Sequence, residues 1–424
     1  MDYSHLPLPD ANGNCIEKLR KTLIKKNVQS DVLSFRLDRK IPRVTRDQYG
    51  VIYTADTWMR LSFTGRSTGE SLARIIVRSS IAIPLKIVHA LCGGQYAKDE
   101  VFTPFECALY KQKLEYLCRT QKYDWVVAVS NPYCIHRIGA TSDLSGARLA
   151  LYYLDPHSFN SMLSPKTLQH RLNEEIKVCA KADLIFAALE HREDWNTSAL
   201  SMFLNKTNFI PYPNLSPFEG ERACATIKKM TDILDVVYLG ALNDEFRQPK
   251  AMLELFEKMQ VYASNFRLII VGSRCGTQVS EQLNKAKSIL KDRLIISPPV
   301  PFPQAMDLLR RSDAVINLGN KMKNQMPSKL LDYIAAGKPI INISPNRPCN
   351  THPYIARYPL AVQFYDDELA DEVGLEAAAE KAVDFVVENR GKSLSWAEVE
   401  SAMSGFTSAD VAKKMLHAME SAAK

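Results

Sequence analysis

Residues 324–342 combine side chains that could bind an anion next to a diol. The segment reads NQMPSKLLDYIAAGKPIIN and is predicted to form a loop, a short helix, a turn and a buried strand. Pro327 suits the first helical position, where free N–H groups and the helix dipole favour an anion. Lys329 adds a positive charge, and Asp332 on the first turn could accept hydrogen bonds from ribose hydroxyls. An ordinary capped helix has the same pattern, so both interpretations stay open at this point.

Two series of strands and helices position this segment. A chain of 424 residues exceeds what one core usually serves, so two domains are expected. Short apolar runs alternate with helical stretches, which predicts an α/β fold with parallel sheets and crossover helices. In the first half, strands are predicted at 31–35, 124–130, 149–154 and 182–187, with a strand pair within 49–63 and a connector at 208–214.

The second half predicts one continuous strand–helix series. Strands are expected at 235–240, 267–272, 294–296, 314–318 and 339–343, and helices at 248–262, 278–290 and 303–311. An amphipathic helix at 409–422 ends the chain. We therefore predict an N-terminal domain over 1–207, a C-terminal domain over 208–395, and a final segment, 396–424, that packs back toward the N-terminal domain.

Glycine and asparagine residues follow several of these strands. Gly240, Gly272 and the turn at 317–320 lie at the carboxyl ends of strands, where open parallel sheets bind ligands. At the start of the chain, residues 9–14 are predicted to form a turn before a helix at 16–26. Only eight residues precede that turn, so either the strand expected to open an α/β domain is short or missing, or the start codon is misplaced.

The composition favours an intracellular globular protein. Apolar residues make up 46% and charged residues 24% of the chain. The nine cysteines include no Cys-x-x-Cys pair, which predicts reduced thiols and no zinc site or disulfide framework. The first residues lack the basic start and apolar run of a signal peptide, and no uninterrupted apolar run reaches the length of a spanning helix. We expect a cytoplasmic protein.

The positive charge is concentrated in residues 1–120, which contain 19 Lys and Arg against 12 Asp and Glu. The rest of the chain sums to zero, because the whole chain carries +7. This excess indicates an anionic partner, such as a membrane surface or a phosphorylated acceptor, or merely a solubilising surface. As a helix, residues 71–91 would place Arg74, Arg78 and Lys86 in one stripe beside an apolar face, which suits an anionic membrane. A core helix with a solvated face is the alternative.

The motifs of the second half resemble those of GT-B glycosyltransferases, most closely family 4. The similarity is carried by 238–242, 269–272, 308–316 and 327–339, and more weakly by 9–14, 182–185 and 213–214. The Pro-Ser-Lys form at 327–329 is similar to bacterial enzymes that build capsule, exopolysaccharide or lipopolysaccharide. The resemblance implies an α/β fold of two Rossmann-like, doubly wound domains that face each other across a cleft.

The resemblance also implies roles for individual residues. Asp332 matches the second acid of the family's acidic pair and would accept the ribose hydroxyls, whereas Asn324 occupies the position of the first acid. The family has an arginine directly after the glycine that corresponds to Gly240, and Ala241 occupies that position here. Arg247 and Lys329 are therefore the candidates for binding the diphosphate. The full expected donor set is Gly240, Asn243, Gly272, Asn324, Met326, Pro327, Ser328, Lys329 and Asp332.

On the N-terminal side, Asn12 and Gly13 would approach the donor phosphate or the acceptor. Asp155 and His157 match the acceptor-side polar cluster and complete the candidate catalytic set with Arg247 and Lys329. The expected substrates are a nucleotide-diphosphate sugar, most simply of the UDP type, and a glycan or lipid-linked acceptor. No metal, no separate cofactor and no nucleic acid is expected.

The family implies transfer with retention of anomeric configuration. Such a reaction depends on positioning and on stabilising the phosphate charge of the leaving group, which fits the absence of a nucleophile motif or metal motif. The substitutions at Asn324 and Ala241 keep a second interpretation open, a nucleotide-sugar-binding protein that does not transfer. A nucleotide-sugar epimerase or hydrolase is a third, although it would need a proton-transferring acid that the sequence does not single out.

Overall fold

The computed structural model describes residues 11–36, 42–56, 102, 104–130, 132–160, 163–218 and 232–423. The chain forms two compact units. The first consists of Met1–Phe159, Leu163–Ile210 and Ala412–Lys424, and the second of Asn160–Met162 and Pro211–Val411. The division after Ile210 falls close to the boundary predicted after residue 207, and the residues from Ala412 onward group with the first unit.

The first unit is built on a parallel sheet. Its strands are β4 (Trp125–Val129), β5 (Arg148–Tyr153), β6 (Leu184–Ala188) and β7 (Thr207–Ile210), which pair in chain order. The central strands β5 and β6 are almost wholly buried, because apolar residues occupy both faces. A separate sheet has the order β1–β3–β2. Its strands are β1 (Val32–Arg36), β2 (Val44–Asp47) and β3 (Gly50–Asp56).

Helices connect these strands and cover the parallel sheet. They are α1 (Ala11–Ile24), α2 (Pro104–Gln121), α3 (Cys134–Thr141), α4 (Pro165–Lys181) and the short α5 (Arg192–Asn196). The core between sheet and helices contains Trp195, whose ring meets Tyr153 edge-on at a centroid distance of 5.4 Å. Short 3₁₀ turns occupy 189–191 and 199–206.

The second unit contains a six-stranded parallel sheet with the order β12–β10–β8–β13–β14–β15. The strands are β8 (Leu234–Leu239), β10 (Phe266–Val271), β12 (Leu294–Ser297), β13 (Ala314–Leu318), β14 (Ile340–Ser344) and β15 (Ala361–Tyr365). Numbered within the unit, this order is 3-2-1-4-5-6, the doubly wound arrangement of a Rossmann sheet. Each predicted strand of this half is confirmed within one or two residues.

The helices of this unit are α6 (Lys250–Tyr262), α7 (Thr277–Leu290), α8 (Phe302–Arg311), α9 (Lys329–Ala335), α10 (His352–Ile355), α11 (Glu372–Glu388) and α12 (Trp396–Ala402). The last helix, α13 (Ser408–Ala423), covers the predicted amphipathic segment. A two-residue pair of strands, β9 (Leu242–Asn243) and β11 (Arg274–Cys275), lies outside the main sheet. No helix within the described ranges combines the length and apolarity needed to cross a bilayer.

Of two sequence expectations in the first half, one is wrong and the other is confirmed in part. Residues 11–14 are not a turn, because α1 already begins at Ala11 and Gly13 lies buried in its first turn. Packing of that turn outweighs the weak helix propensity of Asn12 and Gly13. Of the strand pair predicted within 49–63, β3 (Gly50–Asp56) is confirmed and pairs with the earlier β2 (Val44–Asp47), whereas residues 57–63 lie outside the described residues. Residues 71–91, with Arg74, Arg78 and Lys86, lie outside the described residues.

Candidate functional site

The strand order of the second unit creates a switch point between β8 and β13. From β8 the chain proceeds outward to β10 and β12, and from β13 it proceeds in the opposite direction to β14 and β15. Ligands of doubly wound sheets bind outside the carboxyl ends of the strands at such a point. Gly240 follows β8 there, and Gly319 and Asn320 follow β13. The predicted donor residues after β8 and β13 are therefore neighbours at the sheet edge.

Gly240 and Gly272 touch through their backbones. A Cβ atom on Gly272 would lie 1.8 Å from the carbonyl oxygen of Gly240. The two glycines end the adjacent strands β8 and β10, so the absence of a side chain at Gly272 lets the two loops converge. A Cβ atom on Gly240 would in turn lie 3.5 Å from Nη1 of Arg247. Sequence reasoning placed these three residues at one site, and the structure brings them together.

Arg247 is held at the switch point by Asn320. Its Nε and Nη2 atoms donate to Oδ1 of Asn320 at 3.2 and 2.5 Å. Asn243 shapes the turn before it, since its Oδ1 accepts from the backbone N–H groups of Phe246 at 2.6 Å and Arg247 at 3.3 Å. The Asn243 side chain therefore builds the turn that presents the guanidinium. The turn at 317–320 was expected at this edge of the sheet, but no role was assigned to Asn320 itself.

Helix α9 carries the paired residues Lys329 and Asp332. Nζ of Lys329 lies 3.0 Å from Oδ2 of Asp332. The helix begins at Lys329, so the prediction that Pro327 occupies its first position is wrong. The reason is local, because the opening turn is closed by short-range bonds from Leu330 N–H to Pro327 and from Leu331 N–H to Ser328, at 3.1 and 3.2 Å. Asp332 is on the first turn of the helix, as predicted.

The segment before α9 is mostly buried. Asn324, Met326 and Pro327 are buried, whereas Ser328 and Lys329 are partly exposed. The side chain of Met326 is therefore shielded from water. The exposed ring of Phe302, at the start of α8, lies beside the ammonium of Lys329, with Nζ 5.9 Å from the ring centre.

Tyr333 connects α9 to the end of β8, and sequence reasoning missed it. Its hydroxyl donates to the carbonyl of Leu239 at 3.0 Å and lies 2.9 Å from the N–H of the same residue. The pKa of Tyr333 is raised, chiefly by burial; Asp332 acts in the same direction and Arg247 in the opposite one. Both charges therefore lie within electrostatic reach of this hydroxyl. No local pattern indicates this contact, because Leu239 and Tyr333 are 94 residues apart.

The first unit contains its own polar cluster after β5. Asp155 is partly exposed, and the ring of His157 packs on Tyr133 with a centroid distance of 4.0 Å. Burial lowers the pKa of His157 well below its usual range, and the charge of Arg171 acts in the same direction. Nδ1 of His157 has no hydrogen-bond partner in the described part of the chain. This histidine is therefore neutral at physiological pH and can accept a hydrogen bond.

Two residues of helix α4, Arg171 and Glu175, interact with the loop after β5. Nη1 of Arg171 donates to the carbonyl of His157 at 3.1 Å, which fixes the loop after β5. Burial raises the pKa of Glu175 to about 7, whereas the adjacent Ser158 and Arg171 act in the opposite direction. Neither Arg171 nor Glu175 was singled out from the sequence, because no local motif distinguishes them from other helical charges.

No group of three or more His, Cys, Asp or Glu side chains among the described residues could hold a metal ion. The remaining predicted contacts, Asn12 and Gly13, lie in the first turn of α1 in the first unit.

Comparison with known proteins supports the fold. A sucrose-phosphate synthase from Thermosynechococcus elongatus aligns over 100% of this chain and 96% of its own length, with a TM-score of 0.62 and 12% sequence identity. The chain has the GT-B fold. At that identity the match supports the fold and leaves the activity open.

Two further solved structures align over smaller parts of the GT-B chain. TarM aligns over 74% of this chain and 58% of its own, at 11% identity and a TM-score of 0.47. The pneumococcal O-GlcNAc transferase GtfA, solved with UDP and GlcNAc, aligns over 77% and 62%, at 12% identity and a TM-score of 0.48. These two scores are too low to support an inference. No family model matches the chain, and no curated protein matches it.

Proposed function

We propose that the protein is a glycosyltransferase that moves a sugar from a nucleotide-diphosphate sugar, of the UDP type, to a hydroxyl of a glycan or lipid-linked acceptor. The observation that supports this most directly is the placement of Arg247, Lys329 and Asp332 around the switch point of the second unit. Two cations and one carboxylate at the carboxyl ends of β8 and β13 match what a diphosphate and a ribose require.

The proposed chemistry needs little beyond this placement. The bond from the anomeric carbon to the phosphate oxygen breaks, the acceptor oxygen bonds to that carbon, and the proton of the acceptor hydroxyl passes to an oxygen of the departing diphosphate. Arg247 and Lys329 would neutralise the charge that grows on the departing diphosphate. Asp332 would accept the ribose hydroxyls. We infer transfer with retention and without a metal, as the family resemblance implies.

The acceptor side is proposed to lie in the first unit. Asp155 and neutral His157 could accept hydrogen bonds from an acceptor hydroxyl. The basic residues of the N-terminal part suit a lipid-linked acceptor on an anionic membrane. We therefore propose a cytoplasmic enzyme of bacterial surface polysaccharide synthesis that docks peripherally through Arg74, Arg78 and Lys86.

Thermal-shift measurement against a panel of nucleotides and nucleotide sugars tests the donor site. UDP-type ligands should raise the melting temperature by mass action, and Asp332→Ala should abolish that shift. Asp307→Ala is the matched control, because Asp307 pairs with Arg311 on α8 at the same 3.0 Å distance, away from the switch point. A wild-type protein that responds to no member of the panel would contradict the donor site.

Incubation of radiolabelled UDP-sugar with a bacterial lipid extract tests the reaction. Label in the lipid fraction supports transfer. Binding without transfer would favour a nucleotide-sugar-binding protein, a function that Asn324 and Ala241 keep open because they lack the charges expected of the family. Free sugar or an isomeric nucleotide sugar as the sole product would instead identify a hydrolase or an epimerase.

Flotation with anionic liposomes tests the membrane contact. Changing Arg74, Arg78 and Lys86 to Glu should abolish co-flotation, since the electrostatic attraction would become repulsion. The control changes the same amount of charge in the second unit, at the exposed residues Lys250, Lys285 and Lys392. Equal flotation of the two triple variants would remove the docking hypothesis and leave the donor site untouched.

A further inference from the structure

Two asparagine side chains hold the loop between β13 and α9 in place. Both belong to the loop that follows β14. Nδ2 of Asn350 donates to the carbonyls of Met322 and Gln325 at 3.2 and 2.7 Å. Nδ2 of Asn346 donates to the carbonyls of Asn320 and Lys321 at 2.9 and 3.1 Å. Each amide therefore bridges two backbone carbonyls of the loop 319–327, which leads into the candidate donor site.

This loop is also bonded internally. Nδ2 of Asn320 donates to the carbonyl of Gln325 at 3.0 Å, so that carbonyl accepts from both Asn320 and Asn350. Oδ1 of Asn320 is the acceptor for Arg247. Asn320 and Asn350 are 6% and 8% exposed, so water competes little for these bonds. The orientation of the Arg247 guanidinium thus depends on the conformation that Asn346 and Asn350 impose.

The loop after β14 is itself anchored in the sheet. Nδ2 of Asn317 on β13 donates to Oδ1 of Asn342 on β14 at 2.6 Å, and Nδ2 of Asn342 donates to Oγ1 of Thr351 at 2.8 Å. Asn342 and Thr351 are wholly buried. Thr351 directly follows Asn350, so this buried network fixes the base from which the bridging amide reaches the loop. These hydrogen bonds connect the buried strands β13 and β14 to the loop that carries Asn350.

We propose that Asn346 and Asn350 are positioning residues that set the affinity for the donor nucleotide by holding loop 319–327, and with it Arg247 and Lys329, in the binding geometry. This inference rests on the proposed function, because it assumes that a nucleotide diphosphate binds at the switch point. Neither asparagine needs to touch the ligand. They act on a loop that contacts Arg247 through Asn320 and leads directly into Lys329 at the start of α9.

Asn350→Asp and Asn346→Asp test the proposal. Aspartate keeps the size of the side chain but replaces the amide NH2 group, with its two N–H donors, by one oxygen that faces the backbone carbonyls. Asn389→Asp is the matched control. Asn389 is 9% exposed and its Nδ2 donates to the carbonyl of Phe385 at 2.8 Å, but it lies at the end of α11. Asn346 is partly exposed, so its variant keeps the test usable if Asn350→Asp does not fold.

Two readouts are needed, UDP binding by calorimetry and hydrogen exchange at the amides of residues 320–326. We expect the Kd for UDP to rise about 10- to 100-fold in both loop variants and to stay unchanged in Asn389→Asp, since supporting residues typically have effects of this size. Exchange at 320–326 should accelerate in the loop variants and not in the control. Faster exchange with unchanged UDP affinity would overturn the positioning role.

The experiment distinguishes an error in the proposed function from an error in this inference. If the wild-type protein binds no nucleotide, the donor assignment is wrong, and exchange alone decides whether the two asparagines order the loop. Unchanged exchange at 320–326 in both variants would show that they do not. If Asn389→Asp lowered the UDP affinity as much as the two loop variants do, the loss would reflect general destabilisation. That result would also overturn the inference.

Discussion

Lys329 and Asp332 form an ion pair at the start of α9, with Nζ 3.0 Å from Oδ2. The carboxylate side chain is only 8% exposed, whereas the lysine is 40% exposed. The two residues predicted to bind different parts of a nucleotide therefore neutralise each other in the unliganded protein. A diphosphate would therefore have to compete with the Asp332 carboxylate for the lysine.

A double-mutant cycle over Lys329→Met and Asp332→Asn tests this pairing. We expect a coupling free energy of about 1 kcal/mol, because one partner is exposed and solvent weakens the attraction. Urea denaturation of the wild type, the two single variants and the double variant measures it. The same cycle on UDP affinity should be strongly non-additive. Additive effects on both quantities would show that the two residues act independently.

Gly272→Ala should be strongly destabilising. The new Cβ would meet the backbone carbonyl of Gly240 at 1.8 Å, and backbone atoms cannot move aside as a flexible side chain can. We expect a loss of about 3 kcal/mol or more in the free energy of unfolding. Gly139→Ala is the comparison, because its Cβ would meet only side-chain atoms, at 3.1 and 3.4 Å. Similar unfolding midpoints for the two variants in urea would refute the close approach of the loops.

Arg247→Met should impair the donor site more than the fold. The substitution removes the guanidinium from the switch point and leaves Oδ1 of the buried Asn320 without its donor. We expect the rate of sugar transfer to fall about 100-fold, the size of effect seen when a charge-stabilising group is lost. Arg311→Met, which loses an exposed pair with Asp307, is the control and should transfer at the wild-type rate. The comparison uses initial rates at equal donor concentration.

The sequence predicted the second sheet well because its strands are continuous apolar runs. Strand β13 was predicted with its observed ends, and the glycines after β8 and β10 were placed at the sheet edge where they lie. Such runs identify buried parallel strands without knowledge of their neighbours. The charged residues Arg247, Lys329 and Asp332 could be proposed because they stand at fixed offsets from these strands.

The supporting residues could not be predicted in the same way. Asn320, Asn346 and Asn350 bond to backbone carbonyls of loops up to 28 residues away, and nothing in their local sequence distinguishes them from turn asparagines. Tyr333 bonds to Leu239, 94 residues away. The start of α1 was missed for a different reason, since Asn-Gly favours a turn and only packing makes it helical. Local sequence patterns predict individual strands and helices, whereas the contacts of these residues depend on how strands, helices and loops pack together in the folded protein.

Glu175 should make stability depend on pH in the direction opposite to that of most carboxylates. Burial raises its pKa from 4.5 to about 7, so the folded protein binds the proton more tightly than the unfolded chain. The folded state is therefore favoured at low pH and loses this contribution as the pH rises from about 4.5 to about 7, by an amount on the order of 3 kcal/mol. Glu175→Gln cannot ionise, so its stability relative to the wild type should increase over that interval.

Urea denaturation of the wild type and Glu175→Gln at several pH values from 4.5 to 8 measures this difference. His136, whose pKa burial lowers, is present in both proteins, so its ionisation contributes to both pH profiles. Glu174→Gln is the neighbouring control with the opposite sign. A hydrogen bond from Lys177 lowers the pKa of Glu174, so its removal should cost stability above pH 4.5. If the two variants showed the same pH dependence, Glu175 would be ionised in the folded protein and the buried cluster beneath His157 would carry a negative charge at neutral pH.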